Sequence, residues 1–448
     1  MKKHIKLSSS QLVLVGFLGV ILLGSILLSL PISSADGRAK GYIDALFTAT
    51  TATCVTGLVT VPTFSAWSGF GHFVILLLIQ IGGLGVITVT AGLMMLLNKR
   101  IGIGNRILIM DSFNLNTLSG IIKFVRRVFV GTLLVEGIGA VLYMTVFVPR
   151  FGVRGVWISI FNSVSAFCNA GIDIIGENSL CDYIANPIIN IVTSFLIIMG
   201  GIGFIVWWDI ADILTGKKPR KFNRLTLHSR IALVATVLLL ISGGVLFFIF
   251  EYNNPHTIGA LSLPDKIQAA LFQSVTTRTA GFAAIPQEKL TNASSVLSLV
   301  LMFIGGSPVG TAGGVKTVTI AVLLFTALSV IKNKRHVEIF NRRIEESAIK
   351  KSVAVVTFSF AVVFISTLLL AAVSDGDMLD IVYETVSATA TVGLTRSFTP
   401  ELSVAGKAVI IATMYFGRVG PISIAFALKG RERNENAVVS AVEEITIG

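Results

Sequence analysis

The sequence predicts an all-α polytopic membrane protein of four repeats, each an outer helix, a pore helix and an inner helix, in pseudo-fourfold arrangement around one axis. Three observations predict it. Of 448 residues, 53% are hydrophobic and only 13% charged, where a soluble protein carries about 25% charged residues; the mean hydropathy is +0.83. About eight apolar stretches occur in pairs along the chain. A turn rich in threonine, alanine and glycine recurs once between the members of each pair.

A helix needs roughly 20 apolar residues to cross about 30 Å of hydrocarbon. Outer helices are expected near 11–30, 128–148, 231–250 and 353–373, and inner helices near 70–97, 188–215, 293–330 and 404–428. Of the inner segments, only the third is clearly interrupted. The opening Lys2, Lys3 and Lys6 before apolar residues, with Ser33 and Ala35 downstream, imitates a signal peptide and cleavage site. An apolar run of 20 residues is long for a signal core, and cleavage would delete the first outer helix, so the segment is read as that helix.

Each pair encloses a semi-apolar stretch of about a dozen residues, too short to span and therefore read as a re-entrant helix. These end in Thr53-Cys54-Val55-Thr56-Gly57, Phe167-Cys168-Asn169-Ala170-Gly171, Thr277-Arg278-Thr279-Ala280-Gly281 and Thr389-Ala390-Thr391-Val392-Gly393. The final glycines lie 114, 110 and 112 residues apart, a period that marks internal repeats. A second mark follows 25, 29, 24 and 24 residues later: Gly82-Gly83-Leu84-Gly85, Gly200-Gly201-Ile202-Gly203, Gly305-Gly306-Ser307-Pro308 and Gly417-Arg418-Val419-Gly420. The repeats are drawn at 1–98, 99–216, 217–331 and 332–430, followed by a tail at 431–448 whose mix of charges and apolar residues such as Val438, Val442 and Ile445 suits a subunit contact.

The net charge of +12 is carried unevenly. Twenty-five lysines and arginines flank the paired stretches on one side, whereas the segments joining pair members hold nine against 13 acidic residues. By the positive-inside rule both termini are cytoplasmic and the turns enter from outside. This distribution argues for membrane flanks rather than a nucleic-acid partner. Three cysteines and five histidines form no disulfide framework or metal cluster. No Ser/His/Asp spacing or His-Glu-x-x-His motif suggests an enzyme, and no cofactor is expected in this chain.

Backbone inside a membrane without helical hydrogen bonds must be buried in protein or line a wet cavity. Four such turns on one axis can offer carbonyl oxygens in place of a cation's hydration shell, with the negative ends of four helix dipoles aimed at the same centre. The turns are therefore candidate selectivity-filter residues of one ion pore. The third inner segment is broken by Gly305-Gly306-Ser307-Pro308-Val309-Gly310-Thr311-Ala312-Gly313-Gly314, five glycines and a proline in ten residues, which cannot hold a regular helix. The stretch 305–315 is expected to be a mobile gate below the filter. It superficially imitates a phosphate-binding loop, but Val315 separates Gly314 from Lys316 and no strand precedes it.

Arg418 stands in the register of Gly83, Gly201 and Gly306. A charge near the bilayer centre costs at least roughly 2.5 to 3.5 kcal/mol, so Arg418 is expected beside the pore, on the gate's carbonyls. Lys316 is expected either to cap the gate or to reach the cytoplasm. Glu136 is expected to pair with a neighbouring helix or to be protonated, and Asp209 and Asp212 to lie at the inner face. Arg278, within a filter turn, is expected to turn away from the pore to an acid, Glu384 or Asp44.

Over its whole length the chain resembles the Trk/Ktr/HKT superfamily of potassium transporters, most closely the Ktr membrane subunits. Gly57, Gly171, Gly281 and Gly393 match that family's filter glycines. The resemblance implies K+ as the transported ion, preference for potassium because Gly57 stands where sodium-favouring members often carry serine, and Na+ as a candidate activator. It also implies plasma-membrane location, a homodimer, and a separate cytosolic ring subunit of the KtrA type that would hold ATP/ADP or NAD(H). The competing class is an alternating-access carrier for a small solute or another monovalent cation, which would need inverted repeats and broken helices.

Overall fold

A computed structural model describes residues 8–97, 102–112, 119–216, 219, 221–420 and 424; the tail at 431–448 and its proposed contact lie outside these. The first set of elements is α1 (Ser9–Ser29), the re-entrant α2 (Tyr42–Cys54), a single turn α3 (Thr63–Ala66), and α4 (Gly69–Leu84) followed by α5 (Val86–Leu96). After the linking α6 (Ile103–Ser112) come α7 (Ile121–Phe151), α8 (Val153–Phe167), α9 (Pro187–Gly201) and α10 (Phe204–Leu214). The third set is α11 (Leu227–Glu251), α12 (Leu263–Thr276), α13 (Asn292–Phe303) and α14 (Thr317–Ile331). A hairpin of β1 (Glu338–Ile339) and β2 (Arg342–Arg343), the one departure from an all-α chain among the described residues, leads to α15 (Glu346–Val373), α16 (Met378–Ala390) and α17 (Val404–Val419).

The starts of these helices follow from short polar residues that satisfy orphan backbone N–H groups. Ser68 accepts from Gly71, Asn186 from Ile189 ahead of Pro187, Thr226 from Ser229, Thr291 from Ser294 and Ser403 from Gly406. Ser8 and Gln11 form a reciprocal capping box on α1. Each such cap contributes about 1 kcal/mol. The four long helices α1, α7, α11 and α15 are apolar enough to span and leave most of their surface, such as Leu23, Leu133, Leu238 and Phe364, facing outward. Apolar side chains facing out in that number are what lipid requires.

The inner segments correct the expectation of continuous spans. α4 and α5 bend by 99° at Gly85, and α9 and α10 bend by 99° at the break before Phe204. The cause is the last glycine of the second mark. Gly85, Gly203 and Gly420 all take positive φ (85°, 94° and 87°), a region in which a side chain is strained. The third repeat has Pro308 there, whose ring locks φ near −65°, and its chain breaks over 304–316 instead.

Candidate functional site

The four turns share one backbone. The residue two before each final glycine is left-handed and is never glycine: Val55 (φ 56°), Asn169 (58°), Thr279 (63°) and Thr391 (51°). Gly57, Gly171, Gly281 and Gly393 then also take positive φ, at 102°, 64°, 80° and 97°. Three of the left-handed residues are β-branched, where this conformation is a strong outlier. Strain of about 1 to 3 kcal/mol per residue persists only when the surroundings impose it.

Those surroundings are hydroxyls on the re-entrant helices. Gly57 N–H donates to Thr51 Oγ1 at 2.9 Å, Ile172 N–H to Ser165 Oγ at 3.1 Å and Gly393 N–H to Ser387 Oγ at 3.0 Å. In the third turn the hydroxyl works in reverse, Thr276 Oγ1 donating to the carbonyl of Phe282 at 2.7 Å. Sequence reasoning missed these four residues. Their signal was a hydroxyl six residues before the glycine in three turns and five before it in the third.

The four glycines meet. A Cβ on Gly57 would collide with the Ala170 carbonyl oxygen and lie 3.1 Å from the Cα of Gly393 and 3.3 Å from that of Gly171. A Cβ on Gly171 would meet the Ala280 oxygen, one on Gly281 the Val392 oxygen, and one on Gly393 the Thr56 oxygen. Each glycine thus faces the carbonyl preceding the next, and the circuit closes from the fourth turn onto the first. The turns are buried apart from Gly171, which is partly exposed. The hydroxyls of Thr53, Thr56, Thr389 and Thr391 are buried there without a hydrogen-bond partner.

The first glycines of the second mark set the depth of the inner helices. A Cβ on Gly82, Gly200 or Gly417 would strike the carbonyl of Thr53, Phe167 or Thr389 respectively. These carbonyls all lie four residues before the final glycine of a turn. Only glycine lets inner helix and re-entrant helix touch backbone to backbone here. Gly305 departs from the pattern, facing Gly313 across its own loop.

The loop 304–316 folds back on itself and seats beneath the turns. Gly305 N–H donates to Val315 at 3.0 Å and Val315 N–H to Phe303 at 3.0 Å, while Ser307 and Thr317 join through their hydroxyls at 3.0 Å. It is tied to the second inner segment by Ser307 N–H to Gly201 (2.8 Å), Thr311 N–H to Gly200 (3.1 Å) and Phe204 N–H to Val309 (2.8 Å). Thr311 Oγ1 reaches the Phe167 carbonyl and Asn169 Oδ1, both at 2.9 Å, and Gly313 N–H reaches Thr279 Oγ1 at 3.2 Å. Gly310, Ala312 and Gly314 line, with Arg418, a cavity of about 400 Å³.

Arg418 bridges three elements. Its guanidinium donates to Thr311 O at 2.7 Å and to the carbonyls of Gly82 and Gly83. The arginine of the fourth inner helix thus crosses to the first, where the same register holds glycine. Lys316 Nζ donates to the Ala312 and Gly313 carbonyls, capping the loop from within.

Arg278 corrects the expected acid pairing. Its guanidinium donates to Gly305 O at 3.2 Å, its Nε is buried without a partner, and it is only 7% exposed. Asp44 is taken by Lys407 at 2.7 Å and by Thr60 at 2.9 Å; Glu384 is taken by the hydroxyls of Thr395 and Thr399. Glu136 receives Gln80 Nε2 at 3.4 Å and faces Cys168 Sγ at 3.9 Å; Asp209 holds the start of α11 through Thr226 N–H and Oγ1. In the exposed segment after α1, the Ser34 hydroxyl, Lys40 and the Arg38 N–H hold the Asp36 carboxyl well below its usual range.

Residues 11–435 match the TrkH family, described as cation transport protein. The chain belongs to that family. It is 40% identical to the potassium/sodium uptake protein NtpJ of Enterococcus hirae, across 99% of this chain and 98% of that one. It is 39% identical to the Ktr system potassium uptake protein B of Bacillus subtilis, across 96% and 95%. The crystal structure of the potassium transporter TrkH from Vibrio parahaemolyticus superposes with a TM-score of 0.75 at 20% identity, across 96% of this chain and 87% of that one, a likeness of fold. Members of the TrkH family are multi-pass membrane transporters, not enzymes.

Proposed function

We propose that the chain carries potassium into the cell through the ring of four turns, with the glycine-rich loop at 305–315 as its gate. The observation that carries this reading is the repeated backbone: four left-handed residues and four glycines meeting in one circuit, each beside the carbonyl that precedes the next glycine. A ring of carbonyls replaces the hydration shell of a monovalent cation and repels anions. The buried, unpartnered threonine hydroxyls of the first and fourth turns are further oxygens for the ion or its water. The names of the relatives, potassium/sodium uptake and Ktr system potassium uptake, support K+ as cargo and Na+ as an activator or second cargo.

The gate works by blocking the path below the filter. Arg418 and Lys316 place two cations at the loop's carbonyls, so an ion passing there meets both a steric and an electrostatic barrier. The uneven charge supports cytoplasmic termini in the plasma membrane. The Ktr name of a relative supports a cytosolic KtrA-type ring partner carrying the nucleotides, and a homodimer. The recurring order of outer, re-entrant and inner elements supports drawing four repeats along the chain. The bends at Gly85 and Gly203 lend the carrier reading broken helices, but its inverted repeats are absent from the pattern, since every set runs outer, re-entrant, inner.

The test is radioactive K+ and Na+ influx into liposomes holding the purified chain, with the KtrA-type partner and ATP added if the chain alone is silent. Wild type is expected to pass K+ over Na+, and Gly57→Ser to lose most of that discrimination because its side chain has no room beside Ala170 and Gly393. Absence of cation flux in both conditions, or selectivity indifferent to Gly57, would reject the pore.

A further inference from the structure

On the lysine- and arginine-rich side, away from the filter, the turn before α11 and the β1–β2 hairpin enclose an open hollow of about 420 Å³ lined by Asn223, Arg230, Phe340, Asn341 and Arg342. Arg230 is its unusual member. It stands in the first turn of α11, is 6% exposed, and its Nε is buried without a hydrogen-bond partner. Among the described residues it makes no ion pair. Its guanidinium lies 5.3 Å over the Phe340 ring, which stacks edge-on against Phe222. A buried cation without a counter-anion is costly, and an arginine held flat on an aromatic ring presents its remaining N–H groups in a fixed fork.

We propose that this hollow binds a phosphate group, with the buried guanidinium of Arg230 and the exposed one of Arg342 as its two charged donors and the amides of Asn223 and Asn341 completing the cradle. The chemistry fits on two counts. Arginine pairs bind phosphate oxygens through parallel charge-assisted bonds. Nothing acidic lines the hollow, and the carboxylate of Asp209 at the start of α11 is held by Thr226. The source is the headgroup of an anionic membrane lipid. Phe222 and Phe340 are both exposed, at 48% and 42%, and they stand where the apolar spanning helix α11 begins, the depth at which aromatic rings sit between hydrocarbon and headgroup. A juxtamembrane arginine cluster meets anionic headgroups at that level. The inference does not depend on which ion the chain carries.

The test uses the full chain in detergent micelles and reads thermal unfolding against titrations of phosphatidylglycerol, phosphatidylcholine and inorganic phosphate, for wild type, Arg342→Ala and Arg230→Lys. Phosphatidylglycerol is expected to raise the melting temperature of wild type and phosphatidylcholine to leave it in place. The half-saturating phosphatidylglycerol concentration is expected to rise about tenfold in Arg342→Ala, whose exposed side chain leaves the fold intact, and to rise in Arg230→Lys, which keeps the charge but loses the fork. If inorganic phosphate stabilises wild type and removes the further effect of phosphatidylglycerol, the site stands and its ligand is a soluble phosphate. Stabilisation of wild type by neither probe, or equally of wild type and Arg342→Ala, overturns the proposal.

Discussion

At the scale of single residues, the four turns proposed as the filter rest on hydroxyls that hold their backbone. Thr51 and Ser387 hold strained backbone through one hydrogen bond each. Thr51→Val and Ser387→Ala remove the acceptor while keeping the volume nearly constant, and each leaves a buried N–H unpaired at a cost of about 1 to 3 kcal/mol. The expected outcome is a protein that folds but discriminates K+ from Na+ less well, read by the same influx assay; selectivity equal to wild type in both variants would show that the turns hold their shape without these bonds. Arg418 makes a separate prediction. Its bonds to Thr311 on the loop and to Gly82 and Gly83 on the first inner helix tie the loop down, so on the proposed gating role Arg418→Gln is expected to raise K+ flux several-fold and weaken its dependence on nucleotide at the partner. The glycines and Arg418 were legible because they recur, or conspicuously fail to recur, in register. The hydroxyls were not, since Thr and Ser are common on any membrane helix, and only the left-handed residues beside them reveal what they hold.

At the scale of elements, the segment proposed as the gate is a loop because its sequence forbids a helix, and its neighbours supply hydrogen bonds that it does not make internally. Five come from the second unit, at Phe167, Asn169, Gly200, Gly201 and Phe204, and one from Thr279 of the third turn. Arg278 adds another from the same turn to Gly305. Two adjacent residues of the third turn thus bond to the loop, and on the proposed gating role Arg278→Met is expected to loosen it, raising basal flux while leaving the ratio of K+ to Na+ close to wild type. A fall in selectivity without a rise in flux would assign Arg278 to the filter instead. The broken third segment was legible from five glycines and a proline. The bends at Gly85 and Gly203 were not, because the runs around them are as apolar as any span, and glycines are common in membrane helices, where they permit close packing. The positive φ that Gly85 and Gly203 share, and the replacement of that glycine by Pro308 in the third unit, explain why the same sequence mark produces sharp bends in the first two units and a loop in the third.

At the scale of the whole molecule, the fourfold circuit has to close between the last unit and the first, which no chain connection joins. The closure is made by contacts of α17. Lys407 at its start meets Asp44 on α2, the residue that also receives Thr60; Tyr415 near its end donates to the Leu14 carbonyl on α1; and Arg418 reaches the carbonyls of α4. Parallel repeats and charge asymmetry made four units around an axis legible in the sequence. The closing pair was not, because Lys407 and Asp44 are separated by most of the chain and nothing in their local pattern joins them. Both side chains are mostly shielded, at 14% and 22% exposed, so the pair is worth more than the 0.2 to 1 kcal/mol of about the usual exposed bridge. Removing one partner leaves the other charged and half-buried at the edge of the first filter unit. Lys407→Met is therefore expected to lower the melting temperature and to widen the filter at its seam between Gly393 and Gly57, admitting more Na+. Adding Asp44→Asn removes the orphaned carboxylate and is expected to recover part of the stability. A double-mutant cycle on unfolding, with Na+ influx measured on the same four proteins, checks both: strictly additive losses would mean that the two residues do not hold the seam together.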